Sequence, residues 1–362
     1  SNGIGRGGQG RGRRIHWPAM KRSMNSMWTA DQLLELGRCY QPAAVYAAAA
    51  DLDLFDALAS GPRTPGELAR TLRCDLRGLV ALLDALAALG LLNRRGERYA
   101  LPAGTAELLT SSGSKSIMAM ARHQANCMRN WVQLARVVKT GRPAKRAPSV
   151  RGAQEDAAAF IEGMHNISIP IAKDVIRGVQ PLKFGHLLDV GGASGTWTIA
   201  FLRACSRGKA TLFDLPHVIP MARRRLKGAG LSRRVRLVAG DFMADPLPRG
   251  ADLAWVSAIV HQNSRAQNRA LFANVFQALE PGGRIAIRDI LMESDRTRPV
   301  AGALFAINML VATPGGGTYT FDELREDLES AGFVRAAAAR RDPAMNSIVI
   351  AEKPDALPKS TK

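Results

Sequence analysis

The chain has 362 residues, 46% hydrophobic and 22% charged, with a formal net charge of +19. This describes a globular protein with room for two domains, and no apolar run is long enough to span a membrane. Its four cysteines, Cys39, Cys74, Cys127 and Cys205, sit far apart and make neither a metal-ligand spacing nor a disulfide framework, which points to a reducing cytoplasm and to no bound metal.

The opening stretch "SNGIGRGGQGRGRRIHWPAMKRS" is rich in glycine and arginine and cannot build a core, so residues 1–25 are expected to be a disordered basic tail. No apolar segment follows the basic residues, so the stretch does not read as a secretory signal. The positive charge is local. Residues 1–22 carry six basic and no acidic side chains, residues 129–151 seven and none, and residues 203–236 ten and one. Such runs read as solvated surface, with polyanion binding as the alternative.

Residues 26–115 read as one helical domain. Residues 31–60 show helical spacing and many alanines. In the next segment Thr64 is placed to cap a helix, with Pro65 at its first position and Glu67 closing a capping box. Asp75 is placed to cap a second helix that runs to about Leu89 and ends at Gly90, and a short hairpin around Gly96 follows. Helix, turn, helix and hairpin make a winged helix-turn-helix. Its second helix, "DLRGLVALLDALAAL", has one arginine and is otherwise mostly apolar, whereas a recognition helix needs several side chains for phosphates and base edges. The helix is expected to pack or to form a dimer, and nucleic acid is not expected as a partner.

Residues 116–180 read as helices broken by the basic loop "KTGRPAKRAPSVRG". From 181 to 355 strands and helices alternate, with strands at "HLLDVG", "KATLFDL", "RVRLVAGDF", "LAWVSAIVH" and "RIAIRDIL" and a final hairpin from "RAAAARRD" and "NSIVIAEK". That is a doubly wound, mostly parallel α/β sheet of Rossmann-like type. Residues 356–362 are a short tail. Ligands of such sheets bind beyond the carboxyl ends of the strands, where Asp189, Asp214, Asp241, His261 and Asp289 fall.

The stretch "LLDVGGASG" at 187–195 breaks from an apolar strand into a glycine turn. It is not a phosphate loop, because no Gly-Lys-Ser/Thr follows. Nor is it the dinucleotide pattern, whose second and third glycines would fall on Ala193 and Thr196. A ligand without phosphates suits it.

Together these residues resemble the S-adenosylmethionine-dependent O-methyltransferases of the caffeic acid, isoflavone and acetylserotonin type. The resemblance covers nearly everything after residue 26. It implies a class I methyltransferase domain behind a winged-helix dimerisation domain, S-adenosyl-L-methionine as cofactor, a homodimer, and a small-molecule acceptor whose pocket borrows from the helices of 116–180. It places the methionine part of the cofactor at Asp189, Gly191, Gly192 and Gly195. "FDLPHVI" resembles the segment whose acid, here Asp214 followed by Leu215, holds the ribose hydroxyls. "GDFMADPLP" resembles the adenine turn, with Asp241 on the exocyclic amine and Phe242 against the ring. Ser257 stands where a cofactor-contacting lysine is usual.

The same resemblance makes His261 the general base and Asp289 the acid that orients it. The departures are local: Gln262-Asn263 follow the histidine in place of Asp-Trp, and Thr318 replaces a second orienting acid. Met164 and Met309 match methionines that sandwich an aromatic ring, and His165, Ser168, Phe305, Asn308 and Thr313 complete the expected pocket. The implied reaction is methylation of a hydroxyl on a small aromatic or polycyclic metabolite. Carbon or nitrogen methylation on the same scaffold, and a cofactor-binding regulator, are the alternatives.

Overall fold

The computed structural model describes residues 27–355, so the basic tail expected at 1–25 and the tail at 356–362 lie outside the described residues. Two compact units divide at residue 110.

The first unit holds α1 (Ala30–Arg38), α2 (Tyr40–Asp51), α3 (Leu54–Ala57), α4 (Pro65–Leu72), α5 (Leu76–Ala88), a hairpin of β1 (Asn93–Arg95) and β2 (Arg98–Ala100), and α6 (Ala106–Leu109). Thr64 closes the capping box with Glu67 at the start of α4, and the Asp75 carboxylate accepts the Gly78 N–H at the start of α5. Leu79, Leu83 and Leu86 bury the apolar stripe of α5. Asp84 on the same helix accepts hydrogen bonds from Tyr99 and Arg94, which ties α5 to the wing. The helix is therefore a packing element. By contrast α1 buries none of its residues and leaves Leu33, Leu34 and Leu36 exposed.

The second unit opens with α7 (Met118–Trp131), α8 (Leu134–Thr140) and the long α9 (Ala153–Ile176). Then come β3 (His186–Val190), α10 (Thr196–Ala204), β4 (Lys209–Asp214), α11 (Ile219–Gly228), β5 (Val235–Ala239), β6 (Ala251–Ser257), α12 (Arg265–Ala278) and β7 (Leu279–Asp289). The chain ends with β8 (Leu291–Met292), α13 (Val300–Ala312), β9 (Tyr319–Thr320), α14 (Phe321–Ser330), β10 (Val334–Arg340) and β11 (Ser347–Glu352).

Seven strands form one sheet in the order β10-β11-β7-β6-β3-β4-β5, parallel from β7 to β5, with β11 antiparallel to β7 and β10 antiparallel to β11. From β3 the chain runs outward through β4 and β5, then returns to β3's other side with β6 and β7. The order therefore reverses beside β3, and that reversal opens a crevice at the carboxyl ends of the strands. Alternating strand residues feed two cores. Leu188, Val190, Val256 and Ile287 pack with Leu271, Phe272 and Leu328 of α12 and α14 on one face. Leu187, Trp255 and Ala286 pack with Val175, Trp197 and Phe201 of α9 and α10 on the other. Both faces are covered, which is why these strands read as continuous apolar runs. Among the described residues no helix is long and apolar enough to cross a membrane.

Candidate active site

The crevice is built from strand ends. After β3 the chain turns through Gly191 (φ +65°) and Ala193 (φ +46°), and Gly195 (φ +80°) precedes α10. A Cβ at Gly191 would come within 2.4 Å of the Ile259 Cδ1 atom, and the positive φ there strains any L side chain, so glycine is favoured where the loop passes the β6 turn. Gly192 is similarly closed in, by Leu212 and by the Asp189 carboxylate.

Asp189 is fully buried under this loop. Its carboxylate accepts the Thr198 N–H at 3.1 Å and the Thr198 hydroxyl at 2.5 Å, and so caps the first turn of α10. Burial pushes its pKa up to about 7, a shift the nearby Asp214 reinforces and the Thr198 bonds oppose. Asp189 thus shapes the loop from below. A carboxyl with a raised folded-state pKa binds a proton that the unfolded chain has released, so its contribution to stability falls as pH rises from about 4 to about 7. Asp189→Asn should therefore gain in melting temperature relative to wild type between pH 5 and pH 8. A constant difference across that range would remove the assignment.

Asp214 ends β4, the strand beside β3. Its two oxygens accept the N–H groups of Ala193 and Leu215, each at 2.7 Å, which places the carboxylate against the glycine loop. Burial raises its pKa, and the backbone donors oppose the rise. Leu215 is partly exposed beside it. Beyond β5, Asp241 accepts the Met243 N–H at 2.9 Å and donates its own N–H to Asp245, so the turn is internally braced. The Phe242 ring lies 3.5 Å from the position a side chain would take at Gly191. Ser257 ends β6, and its hydroxyl accepts from Arg288 on β7 at 3.2 Å. Arg288 is buried, lies 4.6 Å above the Trp197 ring and is held by Asn346; burial pushes its pKa down to about 10. A buried cation therefore reaches the Ser257 position from the next strand.

His261 lies in a 3-10 turn at Val260–Gln262, just past β6, and is buried. Its Nδ1 sits 3.0 and 2.9 Å from the two oxygens of Asp289, which ends β7. Asp289 Oδ1 also accepts the Ile290 N–H at 2.8 Å, so the carboxylate cannot swing. With Nδ1 donating to the acid, Nε2 is the ring nitrogen left to accept a proton. The imidazole packs against Phe305 in an edge arrangement, 4.8 Å between ring centres.

The backbone of this turn is pinned on several sides. Asn268 donates to the Val260 carbonyl and accepts from Asn263, Tyr319 donates to the Asn263 carbonyl, and Gly317 donates to the His261 carbonyl at 2.9 Å. A side chain at Gly316 would lie 2.4 Å from the same carbonyl, so the loop "PGGGT" closes directly on the histidine. Asn263 thus has a bracing place of its own, and Thr318 is buried in the strap.

The remaining candidates fall on three helices. On α9, Met164 and His165 are half-buried and Ser168 is buried. His165 is no helix cap: it lies mid-helix, and its Nδ1 is 2.6 Å from the Thr196 hydroxyl at the start of α10. Burial and the Arg225 cation lower its pKa to about 4, which keeps it neutral. On α13, Asn308 accepts from the Trp131 indole at 2.8 Å, one turn from Phe305, and Met309 is buried. Thr313 donates to the Met309 carbonyl and accepts from Gly316, so its hydroxyl serves the end of α13. The contacts close a ring. It runs from His261 through Phe305, Asn308 and Trp131 to α7, crosses to α9, and returns by Thr196 and the glycine loop to Ile259.

Trp131, Arg288, Asn268 and Tyr319 were not expected at the site. An arginine inside the apolar strand "RIAIRDIL" is the one visible signal among them; the others read as ordinary residues of amphipathic segments.

Residues 131–334 match the O-methyltransferase domain, and residues 36–112 match the O-methyltransferase dimerisation domain. The chain is 34% identical over 315 residues to the 3-hydroxy-5-methyl-1-naphthoate 3-O-methyltransferase of Streptomyces sahachiroi, covering 84% of this chain and 90% of that protein. It is 30% identical to the N,N-dimethyltransferase OxyT of Streptomyces rimosus, covering 90% and 97%. Among solved structures, human N-acetylserotonin methyltransferase in complex with SAM superposes with a TM-score of 0.77 at 25% identity, covering 91% of this chain and 99% of that one.

Proposed function

The chain belongs to the S-adenosyl-L-methionine-dependent O-methyltransferases, and from that premise we propose that it methylates a hydroxyl of an aromatic or polycyclic metabolite, with His261 as general base. The observation that carries this reading is the two-oxygen hold of Asp289 on His261 Nδ1, which leaves Nε2 as the proton acceptor.

The strand ends suit the cofactor. The loop after β3 lacks the glycines that hug a pyrophosphate, and the cofactor has no phosphate. Asp214 keeps lone pairs for two ribose hydroxyls after accepting one backbone N–H on each oxygen. Asp241 and Phe242 offer an acceptor and a ring face for adenine. When bound, the cofactor supplies an electrophilic methyl group on a positively charged sulfur. The protein's task is to align the acceptor oxygen and remove its proton. His261 Nε2 takes that proton, and the Asp289 carboxylate stabilises the imidazolium that results. Phe305 and the methionines Met164 and Met309 provide apolar, polarisable walls for a ring.

Transfer to nitrogen is the second reading, supported by the similarity to OxyT. Supplying methyl-labelled cofactor with a hydroxylated naphthoate and locating the label by NMR separates the two. Label on oxygen is the expected result, and a nitrogen-only preference across matched amine and phenol acceptors would overturn it.

The exposed apolar face of α1 and the dimerisation domain support a homodimer. Light scattering should return twice the 38.9 kDa chain mass at micromolar concentration. Leu33→Glu with Leu36→Glu should shift the protein towards 38.9 kDa, and an unchanged dimer in that variant would move the interface elsewhere.

A further inference from the structure

Helix α9 is fastened to its neighbours over one short stretch. Glu162 accepts from Arg225 of α11 at 2.5 Å. A Cβ at Gly163 would lie 3.1 Å from the Met120 Cα, so α9 and α7 pass at close range. Asn166 donates to the Ser116 carbonyl, just before α7, at 2.9 Å. Between these anchors His165 reaches α10. Its Nδ1 lies 2.6 Å from the Thr196 hydroxyl, which in turn lies 3.1 Å from the Ser194 hydroxyl. Ser194 and Thr196 belong to the turn that leads from β3 into α10. Gly192, Ser194 and Gly195 are buried there, whereas Gly191, Ala193 and Thr196 are partly exposed. Thr196 and Ala193 are therefore among the loop residues that a ligand can reach, and the Ala193 N–H is already held by Asp214.

We propose that His165 is a positioning residue for the cofactor: through the Thr196 hydroxyl it holds the loop after β3 in the shape that receives the amino-acid end of S-adenosyl-L-methionine. The proposal rests on the O-methyltransferase reading, and it assigns His165 to the cofactor loop instead of the acceptor wall.

In that reading the ends of β5 and β4 take adenine and ribose, which leaves the loop after β3 for the amino-acid end. That end carries an ammonium and a carboxylate, and a hydroxyl serves either, as acceptor or as donor. A free Thr196 side chain would have to be ordered when the cofactor binds; its bond to His165 orders it beforehand. The rigid seat of α9 matters for the same reason, because a group that positions another must itself be held. The imidazole is also uncharged. Burial and the Arg225 cation lower its pKa to about 4, against the opposing effect of Glu162. A neutral ring can bond a hydroxyl through Nδ1 in either tautomer, since the hydroxyl donates as well as accepts. A protonated ring would instead oppose the positive sulfur of the cofactor.

Calorimetry on the full-length protein with two ligands tests this. S-adenosylhomocysteine and 5′-methylthioadenosine share adenine, ribose and sulfur, but the second has a methyl group in place of the amino-acid end. His165→Phe keeps an aromatic ring and removes the hydrogen bond. It should weaken S-adenosylhomocysteine about tenfold and leave 5′-methylthioadenosine within about twofold. Thr196→Val should give the same selective loss, and the double variant should bind no more weakly than either single one. His165→Asn, which keeps a polar atom near the place of Nδ1, should retain most of the affinity. An unchanged S-adenosylhomocysteine affinity in His165→Phe overturns the proposal. So does an equal loss for both ligands, which marks a purely structural role, and so do losses that add in the double variant. In each case the O-methyltransferase reading stands, because the wild type binds S-adenosylhomocysteine. Failure of the wild type to bind it would count against that reading, and the proposal would fall with it.

Discussion

Replacing His261 with alanine should lower turnover by roughly 10²-fold or more while S-adenosylhomocysteine affinity stays within about twofold of wild type. The two parts of this result come from different places in the molecule. His261 and Asp289 stand at the ends of β6 and β7, whereas the cofactor candidates cluster at the ends of β3, β4 and β5. Loss of the imidazole removes the proton acceptor without touching the Asp214 bonds. Asp289→Asn should cost less, since it removes charge and orientation but keeps the base. The comparison needs a check on folding, because removing His261 leaves Asp289 buried without its main partner. The cofactor affinity supplies that check. A loss of turnover matched by an equal loss of cofactor binding would show that the substitution damaged the crevice as a whole.

Asp214→Ala should weaken S-adenosylhomocysteine by about 2 kcal/mol, or roughly 30-fold, the contribution of hydrogen bonds to a buried carboxylate. Two effects add in the same direction. The ribose loses its acceptor, and the N–H groups of Ala193 and Leu215 lose the oxygens that hold the glycine loop in place. Asp214→Asn retains one carbonyl oxygen and should fall between wild type and alanine. Calorimetry with unchanged affinity in Asp214→Ala would remove the ribose assignment.

Much of this arrangement is legible in the sequence, for physical reasons. A parallel sheet covered on both faces needs apolar runs, so "HLLDVG" and "LAWVSAIV" stand out, and the polar residues that end them must lie at the crevice. The Thr64 capping box and the Asp75 cap are local chemistry within four residues, and both form. Direction is harder to read than position. Asp189 sits at a strand end as expected, but its carboxylate turns under the loop to cap α10, a choice set by Thr198 nine residues on. Partners distant in the chain leave no periodic signal at all. The Trp131–Asn308 bond joins residues 177 apart, and the strap of Gly316 and Gly317 over His261 depends on a loop more than fifty residues downstream.

The central claim is that the protein removes a hydroxyl proton through His261 during methyl transfer. Single-turnover transfer to 6-hydroxy-2-naphthoate, measured against pH for wild type and His261→Ala, tests it most directly. The account predicts that near neutrality, where the acceptor hydroxyl is still protonated, the wild-type enzyme transfers the methyl group without waiting for that hydroxyl to ionise by itself. It also predicts a variant at least about 10²-fold slower near neutrality, whose rate climbs only as the acceptor hydroxyl ionises by itself, near pH ~10. Superimposable profiles, with rates within tenfold of each other, would contradict it and leave alignment alone as the source of catalysis.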